Sequence, residues 1–171
     1  MWMLALALIS CDKDGGDADT APVYGDDLDM QAEDFDCITD MEKVGRYYVQ
    51  NLLGQQAEAV AVASSADGGE FPPGTVVQLI SFEAMVKRAD GWNPETNDWE
   101  FFFLGISGDG TEIDARGGAE VVNSLGGSCY DCHALAEPQW DFICGVDHGC
   151  DPLGLDDATV EALQEADPRC D

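Results

Sequence analysis

The sequence predicts an α+β domain: a mostly antiparallel β-sheet packed with helices. Three observations lead there. Residues 75–80 and 98–104 are β-branched or aromatic runs bounded by Gly, Pro and Asn, the pattern of strands. Gly108-Asp109-Gly110 between 98–104 and 111–116 is a hairpin turn, so those strands are antiparallel. Helical spacing is confined to short stretches outside the strand region, without the βα alternation of a parallel sheet and without the long helices of a four-helix bundle.

In chain order, Val44, Tyr47, Tyr48, Leu52 and Leu53 recur at helical spacing, with Gly54 as a C-terminal stop. Residues 57–63 (AEAVAVA) read as a second short helix, which Asp67-Gly68-Gly69 breaks. Phe71-Pro72-Pro73-Gly74 makes a turn into strand 75–80, and residues 82–86 read as its continuation. Asp90-Gly91-Trp92-Asn93-Pro94 is a loop. In strand 98–104, period two puts Trp99, Phe101 and Phe103 on one face and Phe102 and Leu104 on the other. After Gly117-Gly118, residues 119–125 read as a short helix, and 156–166 as a closing helix with Asp156 as N-cap and Pro168 past its end. No internal repeat is present.

The stretch carrying chemistry is Gly126-Gly127-Ser128-Cys129-Tyr130-Asp131-Cys132-His133. Cys-x-x-Cys-His is the c-type haem attachment pattern. Two thiols three residues apart add to the two vinyl groups on one porphyrin edge, and the adjacent His ligates the iron. The Gly pair upstream allows backbone to lie close to a flat ring. Two other readings compete: a thioredoxin-like dithiol, which needs a βαβ setting, and a structural zinc, for which Cys144, His148 and Cys150 are the nearest further ligands.

Among 171 residues, 35 acidic against 7 basic give a net charge of −28. Nucleic acid and anionic lipid surfaces are therefore excluded as partners, whereas a basic redox protein would be attracted. Solvation, through an acidic tail or as adaptation to high salt, accounts for the charge more simply than partner steering does. Seven cysteines in so short a chain indicate an oxidising compartment. Setting aside Cys11, Cys129 and Cys132 leaves four, for which we expect Cys144–Cys150 across the Asp147-His148-Gly149 turn and Cys37–Cys170 tying the domain's ends.

Residues 1–11 resemble a bacterial lipoprotein signal: an apolar run ending Leu8-Ile9-Ser10, then Cys11 as the lipidated residue. The run is too short to span a bilayer and lacks a basic start. The expected location is the bacterial cell envelope, facing the periplasm, with the membrane reached only through the lipid anchor. Residues 12–36 hold ten carboxylates against Lys13 alone and read as a disordered acidic linker, leaving 37–171 as the folded domain.

Phe71-Pro72-Pro73-Gly74-Thr75-Val76, Glu83-Ala84-Met85-Val86-Lys87-Arg88, Asp98-Trp99-Glu100-Phe101-Phe102, Cys129-x-x-Cys132-His133 and Trp140-Asp141-Phe142, in that order, resemble the cytochrome P-460 / cytochrome c′-β family. The resemblance spans roughly residues 44–145. It implies one covalent haem c per chain, Cys129 and Cys132 as thioether donors, His133 as proximal iron ligand, an open distal face suited to small nitrogen species, and a homodimer. Members oxidise hydroxylamine or bind nitric oxide. The enzymatic members carry a Lys that cross-links to the porphyrin; Leu79 stands at that position here and has no nucleophile.

Phe101, Phe103, Met85 and Arg88 are the distal-pocket candidates: Phe would exclude water, Met sulfur could be a sixth ligand, and Arg could hold an anionic ligand or a propionate, while core packing is the simpler account of Phe101, Phe103 and Met85. Arg116 and Glu83 are further charges beside those strands, each equally well explained by a surface salt bridge, and His148 is expected at the surface. Three functions result: small-ligand binding (nitric oxide or a similar molecule) or one-electron transfer; a hydroxylamine or nitric oxide oxidoreductase; or a haem-free, disulfide-stabilised binding lipoprotein.

Overall fold

The computed structural model describes residues 28–124 and 126–170. The expected signal, Cys11 and most of the acidic linker lie outside the described residues. Six strands form one antiparallel sheet in chain order: β1 (Glu42–Val44), β2 (Tyr47–Asn51), β3 (Thr75–Gln78), β4 (Glu83–Lys87), β5 (Trp99–Ser107) and β6 (Gly110–Gly117). Helix α1 (Gln56–Ala63) lies between β2 and β3, and α2 (Cys129–His133) and α3 (Asp157–Glu165) follow the sheet. The α+β class is as predicted, as are α1, β3, the β5–β6 hairpin and α3 with Asp156 accepting a bond from Thr159 N. No helix among the described residues is long and apolar enough to cross a membrane.

The helix expected over 44–53 is instead the β1–β2 hairpin. Gly45, at φ +60°, turns the chain with Arg46, Tyr47 pairs back to Val44, and Tyr48-Val49-Gln50-Asn51 pairs with β3 in the register Tyr48↔Gln78 and Val49↔Val77. β-Branched and aromatic side chains lose less rotamer freedom on a pleated surface than in a helix, which decides an ambiguous spacing. Residues 82–86 do not continue β3; a turn over 79–82 folds them back as its antiparallel partner β4, Val77 facing Met85. Residues 119–124 are not helical: Val122 makes an isolated bridge to Ser128, closing a loop with Asn123 N donating to Gly127 O.

Alternation along the strands divides the core in two. The front face carries Val49, Val77, Met85, Trp99 and Phe101, covered by Phe71, Val121, Cys129 and Ile143. The back face carries Val76, Ala84, Val86, Phe102 and Leu104, covered by Met30 and Phe35. Those last two belong to the segment expected to be a linker, yet they are only 1% and 3% exposed. Burying each contributes about 1.5–3 kcal/mol, enough to hold a short acidic segment down, so packed structure starts by Met30. Thr111 Oγ1 donates to Phe35 O at 2.6 Å and fixes the same segment on β6.

Both expected disulfides are present, Cys37–Cys170 and Cys144–Cys150. The first closes the chain ends beside a buried pair in which Arg169 donates to Asp167 at 2.6 Å and Asp167 accepts from Ile38 N at 3.0 Å. In α3, buried Gln164 donates from Nε2 to Arg46 O and Leu79 O, both at 2.7 Å, so the helix clasps two hairpin turns.

Candidate functional site

Cys129, Cys132 and His133 occupy the single helical stretch α2, and its start is built for it. Ser128 Oγ accepts from Asp131 N at 3.2 Å and donates to Ala119 O at 3.1 Å, while Cys129 N donates to Val121 O. Gly126 sits at φ +83° with nothing within 4 Å of where a Cβ would stand. That left-handed turn is a conformation glycine adopts without steric cost. Cys129 is buried against the front-face core and Cys132 is exposed; both are free thiols.

His133 is partly buried and packs on Phe101, with ring centroids 5.5 Å apart. Its Nδ1 lies 2.6 Å from Phe142 O. A carbonyl only accepts, so Nδ1 carries the proton and Nε2 is the free lone pair. Burial lowers the imidazole pKa, against a smaller raising effect of the Phe142 bond, and keeps the ring neutral. A neutral imidazole with its second nitrogen anchored on a backbone carbonyl is the form that ligates a metal.

The carbonyl doing the anchoring is itself held by a buried hub. Asp141, 3% exposed, accepts from Lys87 Nζ at 2.9 and 3.0 Å, Asn97 Nδ2 at 2.6 Å, Trp99 Nε1 at 3.1 Å and Phe71 N at 2.8 Å. Lys87 also donates to Asn97 O at 2.9 Å and lies over the Trp99 ring. Asn97, Asp98, Asp141 and Phe142 all have positive φ. Two adjacent left-handed pairs are costly, and the hub ties both together. Sequence reasoning missed the hub. Its signal was the isolated Lys in an apolar strand and the lone Asp in Trp140-Asp141-Phe142, two single charges with no local partner.

Of the distal candidates, Met85, Phe101 and Phe103 share the front face with Cys129. Phe101 touches the His133 ring itself, so it orients the imidazole rather than facing it across a ligand. Met85, 4% exposed, is paired laterally with Phe101 in the core. Arg88 is a correction: it points to the back, bonded to Glu100, with Arg116 Nε on the same carboxylate at 2.7 Å. Since Met85 and Lys87 face the front, period two sends Arg88 the other way. Glu83 accepts from Ser124 N and Oγ at 2.9 and 2.6 Å. Leu79 lies in the turn after β3. His148 is half-buried, not at the surface, stacked on Trp140 at 3.8 Å with Nδ1 2.7 Å from Ile143 O.

The arrangement discriminates between the three readings of the motif. A thioredoxin-type nucleophile needs a lowered thiol pKa. Burial, followed by the nearby Glu83 charge, pushes Cys129 up to about 11. The sheet, moreover, is antiparallel throughout. Zinc would need Cys144 and Cys150, which are bonded to each other.

The residues present fit a covalent haem. Two thiols are left free where the other described cysteines are paired, and one neutral imidazole is oriented. Exposed Val122, Leu135 and Val146 flank the motif and offer apolar surface to a flat ring. Two open clefts, of about 240 Å³ beside Asp141 and about 420 Å³ beside residues 34–42, are lined by residues outside the motif. A covalently held ring needs no deep pocket. Comparison of the chain with protein-family models, with curated proteins and with solved structures returns no match.

Proposed function

We propose that this chain is an exported mono-haem c-type cytochrome of the P-460 / c′-β type, anchored through a lipid on Cys11, that binds a small ligand such as nitric oxide or transfers single electrons. The observation that carries the reading is the pairing of two free thiols with an imidazole whose Nδ1 is spent on Phe142 O. Haem held there would supply an iron able to take one electron or one diatomic ligand. Cys129 and Cys132 hold the ring edge; His133 presents Nε2; Phe101 and the Asp141 hub keep that imidazole in one orientation. Residues 117–168 contain no Lys or Arg, so the charged side chains of the stretch around the motif are acidic, which favours a basic redox partner.

Oxidation of hydroxylamine is the weaker reading because Leu79 offers no cross-linking nucleophile. The test is expression in a host with haem-maturation machinery, followed by intact mass and an absorption spectrum. The expected result is one haem per chain and a high-spin spectrum that shifts with nitric oxide. A low-spin spectrum would point to electron transfer, and a mass equal to polypeptide plus lipid would overturn the haem reading.

A further inference from the structure

Four cysteines are gathered at one corner of the fold, and only two are bonded to each other. Cys144 Sγ lies 3.5 Å from Cys132 O. The Cys132 thiol is exposed and free. The Cys37–Cys170 bond is tied instead into the Arg169–Asp167 cluster through the chain ends. Cys144 therefore carries the disulfide sulfur that touches the backbone of the exposed attachment residue. We propose that the Cys144–Cys150 disulfide guards the attachment site: it occupies a sulfur that rests on the Cys132 backbone, and a chain in which Cys144 is released closes a Cys132–Cys144 bond that leaves no pair of thiols for a porphyrin.

The chemistry balances without a further reagent in the native chain. The Cys132 thiolate attacks Cys144 Sγ, the Cys144–Cys150 bond breaks, and Cys150 leaves as a thiolate that takes up the proton Cys132 gave away. The native pairing is favoured by loop length. It spans a sequence separation of 6, against 12 for Cys132–Cys144. Each doubling of a loop disfavours its closure about threefold. The exchanged form is thus a minor one in the native chain, and becomes the main one when Cys150 is removed and a small disulfide oxidant such as glutathione disulfide is present. That oxidant takes the two electrons and two protons and leaves as two molecules of glutathione.

The guard rests on the haem reading for its purpose but not for its chemistry, so the test has two arms. In the first, haem-free full-length chain is equilibrated in glutathione buffer, blocked with a maleimide, and mapped as non-reduced peptides. Wild type should be labelled at Cys129 and Cys132; Cys150→Ser should be labelled at Cys129 and contain a Cys132–Cys144 peptide; Cys144→Ser with Cys150→Ser should be labelled again at Cys129 and Cys132. Label on Cys132 and Cys144 of Cys150→Ser, or a Cys129–Cys132 bond there, would overturn the proposal. Should the variants fail to fold, wild type alone decides: held at mildly alkaline pH without oxidant, it should show a minor species labelled at Cys150, and its absence overturns the exchange.

In the second arm the same chains are made with the haem-maturation machinery. Cys150→Ser should load as poorly as Cys132→Ser, and the double variant as well as wild type. Equal loading of Cys150→Ser and wild type overturns the guard. Wild type that takes no haem overturns the function reading and leaves the thiol map to judge the exchange.

Discussion

The two faces of the sheet each bury an ion network, and the networks begin on adjacent residues. Lys87 and Trp99 turn to the front, Arg88 and Glu100 to the back. In front, Lys87 and Asp141 are both 2% exposed in their side chains and gather three chain segments around the loop that presents Phe142 O. At the back, Glu100 takes Arg88 and Arg116, and Arg116 continues to Met30 O at 2.8 Å and Asp29. Two buried ion networks thus serve two ends: the front one sets the geometry of the His133 anchor, whereas the back one, with Arg116 part-exposed, seals the N-terminal segment onto the sheet.

Removing one carboxylate at a time should separate those ends. Asp141→Ala strands the buried Lys87 ammonium, and breaking a buried pair this way costs about 3–5 kcal/mol. Glu100→Ala strands Arg88 and should cost a similar amount. The expected difference lies in the site: after correction for the folded fraction in urea, only Asp141→Ala should lower haem incorporation and broaden the spectrum. Equal haem yield from the two variants would show that the hub supports the fold alone.

Phe101 and Phe102 sharpen the same contrast within one strand. Both are fully packed, 2% and 0% exposed, and truncation to Ala should cost about 3–5 kcal/mol in either case. Phe101 rests on His133, while Phe102 rests on Phe35 at 4.9 Å. A redox titration of the loaded proteins should therefore shift for Phe101→Ala and stay in place for Phe102→Ala.

That division was legible in residues 98–104 because alternation is a local rule. The helix/strand error at 44–53 arose because residues 44, 47 and 48 satisfy a helical period as well as two short strands, and Gly45 was the turn signal that decides between them. Arg88 could have been placed by extending the alternation of Met85 and Lys87 by one residue. The Asp141 hub could not, because its partners lie 42 to 70 residues away and only the folded register brings them together. The motif residues were readable for the opposite reason: all three lie within five positions. The anchor on Phe142 O, nine residues on, depends on a left-handed loop that no periodicity announces.

Acidification should find the ends of the chain before the sheet. Burial alone would raise the Asp167 carboxyl, but the Arg169 guanidinium and the Ile38 and Arg169 N–H groups hold it below the ordinary value of 3.8. A carboxylate lowered in the fold binds fewer protons there than in the unfolded chain. Its contribution is then fully present above about pH 4 and is lost as pH falls through the lower, folded value. Asp167→Asn should cost about 1.5–3 kcal/mol near neutrality, the worth of charged hydrogen bonds. The gap to wild type in urea midpoints should close progressively below pH 4; a gap constant with pH would assign the loss to packing.

The smallest effect is expected at the surface end of α3. Arg46 Nε lies 2.8 Å from Asp157 Oδ1, yet the Asp157 side chain is 87% exposed and the contact lacks hydrogen-bond geometry. An ion pair in solvent without that alignment contributes roughly 0–1 kcal/mol and is screened by salt. Gln164, by contrast, is buried and joins the same helix to Arg46 through the backbone carbonyl, a bond that salt does not reach. Asp157→Ala should lower the unfolding free energy by about 1 kcal/mol at most, less in high salt, whereas Gln164→Ala should cost more and keep its cost at every ionic strength. A salt-dependent loss in Gln164→Ala would place the clasp of α3 on the charges instead of the amide.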